Sequence, residues 1–242
     1  MRIFNWPGHG VWAAVNDANI LNDIKHRFAN VQVWFSDLDD SDAKSPAKII
    51  AASAIGASRF SLAYIGWCMK ALYSSAAAGK PSESYLWADY VERFLRGDGA
   101  LREIKDKFTD DFVSSTLYGG VKEFYSLLSA RKYYVTRNIA EVVRPYASLL
   151  GFDGYFSEAK DKGRAVDDFV IGNPQVTRYG CSGDSAEDES MLDVLHFYKG
   201  RGRISDVVSL YIAGSQNAVS PDFDLATSRD RTGLVALLNG KE

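Results

Sequence analysis

Residues 31–35, Val-Gln-Val-Trp-Phe, combine β-branched and aromatic side chains and run straight into the polar stretch Ser36-Asp-Leu-Asp-Asp-Ser41. That transition predicts a strand that stops in a loop. From about Pro46 to Leu117 the apolar positions take helical spacing, interrupted at Gly79-Lys-Pro81 and at Gly97-Asp-Gly99. Roughly three to five helices and no strand are predicted there. After Gly119-Gly120 the pattern alternates. Helices are predicted at 121–130, 138–150, from Gly163, from Ala186 and after Asp230, with strands at 132–135, near Tyr155-Phe156, around 176–181 and at 207–213. Strands alternating with helices imply a parallel sheet covered on both faces, with ligands bound at the carboxyl ends of its strands. The expected fold class is therefore α/β, a doubly wound, Rossmann-like parallel sheet interrupted by an all-α insertion. Residues 1–42 and 118–242 are expected to form the sheet core, with 1–30 an extension before the first strand, and 43–117 the helical cap.

Composition narrows this picture without changing it. With 242 residues, 46% of them hydrophobic, the chain can bury a full core. The formal net charge of -3 is spread in both signs, so no basic face for nucleic acid is expected. The short cluster Lys199, Arg201 and Arg203 reads as a solvated loop. Ile49 to Met69 approaches the length of a membrane span, but Arg59 and Lys70 favour a buried amphipathic helix. No membrane partner is expected. Cys68 and Cys181 form no CxxC pair, and the first ten residues hold no continuous apolar run, so no disulfide, no secretory signal and a cytoplasmic location are expected. His9, His26 and His196 lack ligand spacing, and Gly8-His-Gly10 lacks the strand and longer glycine pattern of a dinucleotide loop.

Four polar features fall at the expected strand ends. In Asp37-Leu-Asp39-Asp-Ser41 one carboxylate can attack phosphorus while another, two residues on, exchanges protons with the leaving oxygen and with water. An acidic loop alone is as easily just solvated. Thr136, Arg137 and Asn138 end a strand and start a helix, where the hydroxyl and backbone N–H groups can hold phosphate oxygens, or where Thr136 or Asn138 can cap the helix. Lys162-Gly163 opens the next helix, and either Lys162 or Lys160 can neutralise charge on the nucleophile and phosphate. In Gly183-Asp184-Ser185-Ala-Glu-Asp188, carboxylates four apart at a strand-to-helix junction can hold Mg²⁺, while Ser185 and Asp188 also fit a capping box.

Taken in order, these residues resemble the four motifs of the haloacid dehalogenase-like (HAD) superfamily, over nearly all of the chain after about residue 31. Asp37, Asp39 and Ser41 match the DxDx(T/V/S) motif, Thr136 the second, Lys162 the third, and Asp184 with Asp188 the GDxxxD form of the fourth. The resemblance implies a Mg²⁺-dependent phosphatase acting on a small phosphorylated substrate. Asp37 would become aspartyl-phosphate, and Asp39 would serve as acid/base with its backbone carbonyl on the metal. Asp184 and Asp188 would be further metal carboxylates, while Ser41, Thr136, Arg137 and Lys162 would bind phosphate. The insertion after the first motif matches the position of a family cap, whose Arg59, Tyr64, Trp67, Tyr85, Trp87 and Arg93 can line a pocket or form core. A HAD-fold phosphotransferase or mutase, or a receiver-like phospho-aspartate signalling protein, would use much of the same set. Ser41 stands where threonine is commoner, and the first 30 residues match nothing in the family.

Overall fold

The computed structural model describes residues 3–6, 10–14, 20–44, 108–213 and 223–240. Most of the expected insertion, residues 45–107, lies outside the described residues, together with Cys68, His9, Ile49 to Met69 and the six candidate pocket residues named above. The division into core and cap is thus an expectation that the fold leaves open.

In chain order the elements are β1 (Ile3–Trp6), β2 (Val11–Ala14), α1 (Ile20–Asn30), β3 (Val33–Ser36), α2 (Asp110–Thr116), α3 (Val121–Leu127), β4 (Arg131–Val135), α4 (Ala140–Leu149), β5 (Gly154–Phe156), α5 (Lys162–Gly172), β6 (Arg178–Gly183), α6 (Ala186–Gly200), β7 (Asp206–Ala213), β8 (Leu225–Ser228) and α7 (Thr232–Leu238). They form one eight-stranded sheet in the order β1-β2-β8-β7-β6-β3-β4-β5. Every neighbouring pair from β8 to β5 is parallel. From β3 the chain winds outward through β4 to β5, crosses back to β6, and winds the other way through β7 to β8. The direction changes between β3 and β6, the switch point where such sheets open a crevice at their carboxyl ends.

Alternation along β3 divides the core. Val33 and Phe35 pack with Val166, Met191, Leu192 and Leu195 beneath α5 and α6. Trp34 faces the other way, into a larger cluster with Ile24, Phe28, Phe124, Val142 and Leu234 from α1, α3, α4 and α7. All four residues of β3 are buried, as expected of a central parallel strand. The α/β doubly wound class is therefore the observed one, with two additions. The N-terminal extension supplies α1 and an antiparallel hairpin, β1–β2, which adds to β8 in antiparallel sense and so makes the sheet mixed. The strand β8 itself was not expected; Leu225-Ala-Thr-Ser is too short to show a period of two. Helix α3 also stops at Leu127, short of the expected 130, because Leu128 takes an extended conformation that turns the chain into β4.

Among the described residues no helix is long and apolar enough to cross a membrane. Cys181 is a free, buried thiol in β6. His26 and His196 lie exposed on α1 and α6. In the basic cluster Arg201 lies over Phe197, Lys199 pairs with Asp206, and Arg203 lies over Tyr198 and donates to the Val170 and Ile171 carbonyls at the end of α5.

Candidate active site

Beyond Ser36 the β3 ladder continues for one residue, through the Asp37 N–H donated to the Ser182 carbonyl at 3.0 Å. The chain then folds back on itself. Asp42 and Ala43 both donate backbone N–H groups to the Leu38 carbonyl at 3.1 Å, and Asp40 takes the left-handed conformation (φ 56°) that short polar side chains tolerate. This turn leaves Asp37 at the carboxyl end of the central strand, buried at 4% exposure.

Three segments converge on it. Lys162 is the first residue of α5, whose N-cap is Asp161, the side chain of which accepts from the Arg164 N–H at 3.0 Å. Its Nζ stands 2.6 Å from Asp37 Oδ1 and 2.6 Å from Asp188 Oδ1, with all three side chains nearly inaccessible. Lys160, two residues earlier, is exposed; Lys162 is the lysine that reaches the acids. Asp188 belongs to the first turn of α6, where its Oδ2 accepts from the Asp184 N–H (3.0 Å), the Ser185 N–H (3.0 Å) and the Ser185 hydroxyl (2.8 Å). This is the capping box allowed by the sequence. The box is so close to β6 that a Cβ on Gly183 would overlap that of Asp188, so only glycine fits there. Ser41 bridges the two strand ends, its hydroxyl 3.4 Å from Asp37 Oδ2 and 3.4 Å from Asp184 Oδ1. One oxygen from each of Asp37, Asp184 and Asp188 lies within 4.8 Å of the others.

The remaining expected residues border this cluster. Thr136 is fully buried beyond the end of β4, and its hydroxyl accepts from the Asn138 N–H at 3.2 Å. Arg137 is held by Glu187 at 2.8 Å. Asp39 stands outside the three-carboxylate group and accepts a hydrogen bond from the Asn138 amide. Sequence reasoning treated Asn138 only as a possible cap and so missed this contact. It also missed Arg229, 3.7 Å from Asp184 Oδ2, and the buried pair of Asp42 with Arg231 directly beneath the turn.

Electrostatics mark the cluster as short of positive charge. Burial pushes the Asp37 carboxyl well above the ordinary carboxylate range, Lys162 pulls it back, and Asp188 and Asp39 push it further up. Burial and the charge of Asp188 raise Asp184 to about 6. For Lys162 burial opposes the charge, but the two carboxylates outweigh it and the ammonium stays protonated. Lys162 thus faces two buried acids, and the half-buried Asp184, with Arg229 at 3.7 Å, completes a donor set of hard oxygens that suits a divalent cation such as Mg²⁺.

A carboxyl whose folded-state pKa is raised binds more protons in the folded than in the unfolded protein. Its effect is favourable at low pH and lost as pH rises through the folded value. Raising Asp184 from 3.8 to about 6 is worth about 3 kcal/mol across that window. The metal-free protein is accordingly expected to melt at a higher temperature near pH ~5 than near pH ~7.5, and millimolar Mg²⁺ to raise the melting temperature at the higher pH far more than at the lower, where protons compete. A Mg²⁺ shift equal at both pH values would contradict it.

No family model matches the chain, and no curated protein does. Among solved structures it is similar to a crystal structure of phosphoserine phosphatase in apo form, at 9% sequence identity and a TM-score of 0.43, over 84% of this chain and 95% of that one.

Proposed function

We propose that this protein is a phosphohydrolase of the haloacid dehalogenase-like type, which removes phosphate from a small phosphorylated substrate through an aspartyl-phosphate on Asp37. The observation that carries the reading is the buried ammonium of Lys162 held between Asp37 and Asp188 at the β3/β6 switch point, with an oxygen of Asp184 in reach of both acids. Salt-bridged lysines are common, but a lysine buried between two desolvated carboxylates, with a third carboxylate in reach of both at the carboxyl ends of central parallel strands, is an arrangement that structure alone does not require.

In this reading Mg²⁺ is held by the carboxylates of Asp37 and Asp184 and the backbone carbonyl of Asp39, and when bound it offsets charge on the phosphate and on the acids. Asp188 has both oxygens engaged, and its part is to fix Lys162 and the start of α6. Asp37 attacks phosphorus as a carboxylate, forming a P–O bond as the bond to the leaving oxygen breaks. Lys162 keeps Asp37 ionised and pointed at the crevice. Asp39 gives its proton to the leaving oxygen, then takes one from the water that cleaves the acyl phosphate and regenerates Asp37. The Asn138 amide donates to Asp39 and helps to hold that carboxyl in place. The Ser41 and Thr136 hydroxyls and the backbone N–H groups after β4 receive the phosphate oxygens, with Arg137 at the rim. Residues 43–117 would form the helical cap over this crevice and choose the substrate.

The test is phosphate release from a panel of phosphate monoesters, with Mg²⁺ and with EDTA. Release confined to the Mg²⁺ samples is expected for at least one small monoester. Undiminished release in EDTA, or none from any ester, would overturn the reading.

A further inference from the structure

Beneath the turn that carries Asp37 lies a polar cluster for which the chemistry above has no use. Asp42 and Arg231 are both fully buried, and Arg231 Nη2 stands 2.5 Å from Asp42 Oδ1. The same nitrogen donates to the Ser41 carbonyl at 3.1 Å. Asp42 Oδ2 accepts from the hydroxyls of Tyr125 on α3 and Tyr134 on β4, at 2.8 Å each. The backbone closes the arrangement. Tyr118 donates to the Asp42 carbonyl at 3.0 Å, Lys44 to the Thr116 carbonyl at 2.9 Å, and Arg231 to the Gly119 carbonyl at 2.7 Å. Ala43 pairs with Leu117 across an antiparallel bridge. The cluster therefore ties the turn after β3 to α3, β4 and the start of α7.

Stability alone does not account for it. Arg231 leaves Nε and Nη1 buried without a hydrogen-bond partner. An apolar side chain of similar volume would avoid that cost, and buried ion pairs commonly contribute nothing net over such a replacement. What the pair does supply is position. Arg231 holds the carbonyl of Ser41, and the hydroxyl of Ser41 is the group that spans Asp37 and Asp184.

We propose that Asp42 and Arg231 are positioning residues for the phosphoryl-transfer site, a buried clamp that fixes the 37–44 turn and so sets the spacing of Asp37 from Asp184. The proposal rests on the phosphatase reading for its catalytic consequence but not for its structural one. The test compares wild type, Asp42→Asn, the charge-free double variant Asp42→Asn/Arg231→Met, and Ile204→Ala, a buried core truncation before β7 that lowers stability away from the site.

Hydrogen exchange of the 37–44 amides is expected to quicken at least about tenfold in the double variant while β6 and β7 amides keep their protection. In the same folded protein kcat is expected to fall about 10- to 100-fold with KM nearly unchanged, as for a misplaced rather than a missing group. Ile204→Ala should lower the melting temperature and leave kcat in place. Unchanged exchange in the turn overturns the clamp, and so does an equal loss of kcat in Ile204→Ala. If wild type hydrolyses no phosphate ester, the phosphatase reading fails, while the exchange result still decides the clamp.

Discussion

Asp37→Asn is expected to abolish phosphate release, lowering kcat by at least about 10³-fold, while leaving the metal-free protein as stable as wild type or more so at neutral pH. The two halves have one cause. Asp37 is a carboxylate kept almost wholly out of water, and its pKa is pushed up by burial first and by neighbouring acids. Its ionised form therefore strains the fold near pH ~7, and that penalty vanishes when the group is neutral. The amide keeps the shape and one acceptor oxygen, and Lys162 keeps Asp188 as its partner. What is lost is the negative oxygen that attacks phosphorus. An inactive variant with a lower melting temperature would leave misfolding as the explanation; an inactive variant with an equal or higher one assigns the loss to chemistry. Thermal unfolding without Mg²⁺ and phosphate release with it measure the two halves. Retained turnover would remove Asp37 from the role of nucleophile.

The residues that meet around Asp37 were legible because each sits where a hydrophobic run stops. Val33 to Phe35 end in Asp37, β4 ends in Thr136, and β6 ends in Gly183-Asp184. A β-branched or aromatic run that breaks into polar residues locates a strand end, and a parallel sheet gathers such ends at one rim. The choice between Lys160 and Lys162 depends on the helix start. The Asp161 side chain caps α5, which turns Lys162 inward and leaves Lys160 in solvent. Asp188 fitted both a ligand and a cap in the sequence, and its two oxygens divide between Lys162 and the α6 cap. Helix α1 did carry a signal, since Ile24 and Phe28 are four apart and both face the core. The pair Asp42–Arg231 carried none. Its members are 189 positions apart, and a buried arginine reads along the chain like any exposed one. Only the fold, by bringing the start of α7 under the β3 turn, joins them.

The second large effect is expected at Lys162. Methionine matches the length and volume of its stem, so Lys162→Met removes the charge with little change in packing. Asp37 and Asp188 then face one point from two sides, each having lost a cation at 2.6 Å. Truncating one partner of a buried ion pair costs about 3–5 kcal/mol, chiefly through the charge left behind. Here two charges are left, and the loss in the metal-free protein near pH ~7.5 is expected at the upper end of that range. Its dependence on pH separates charge from packing. Without the lysine, the main influence that lowers the Asp37 pKa is gone. The folded protein then takes up protons at still higher pH than before, and stability is regained as pH falls through that raised value. The deficit against wild type should therefore shrink to about 1 kcal/mol or less near pH ~5, and Mg²⁺ should recover part of it at neutral pH by supplying the missing positive charge. Turnover should not recover with it. A cation shared among the acids can offset repulsion, but Asp37 no longer has the donor that fixes its oxygen, and kcat is expected to stay at least about 10²-fold down. Chemical denaturation at both pH values, with and without Mg²⁺, decides the matter. A deficit that ignores pH and metal alike would mean that Lys162 matters for its packing, and the charge argument at the centre of the site would fail.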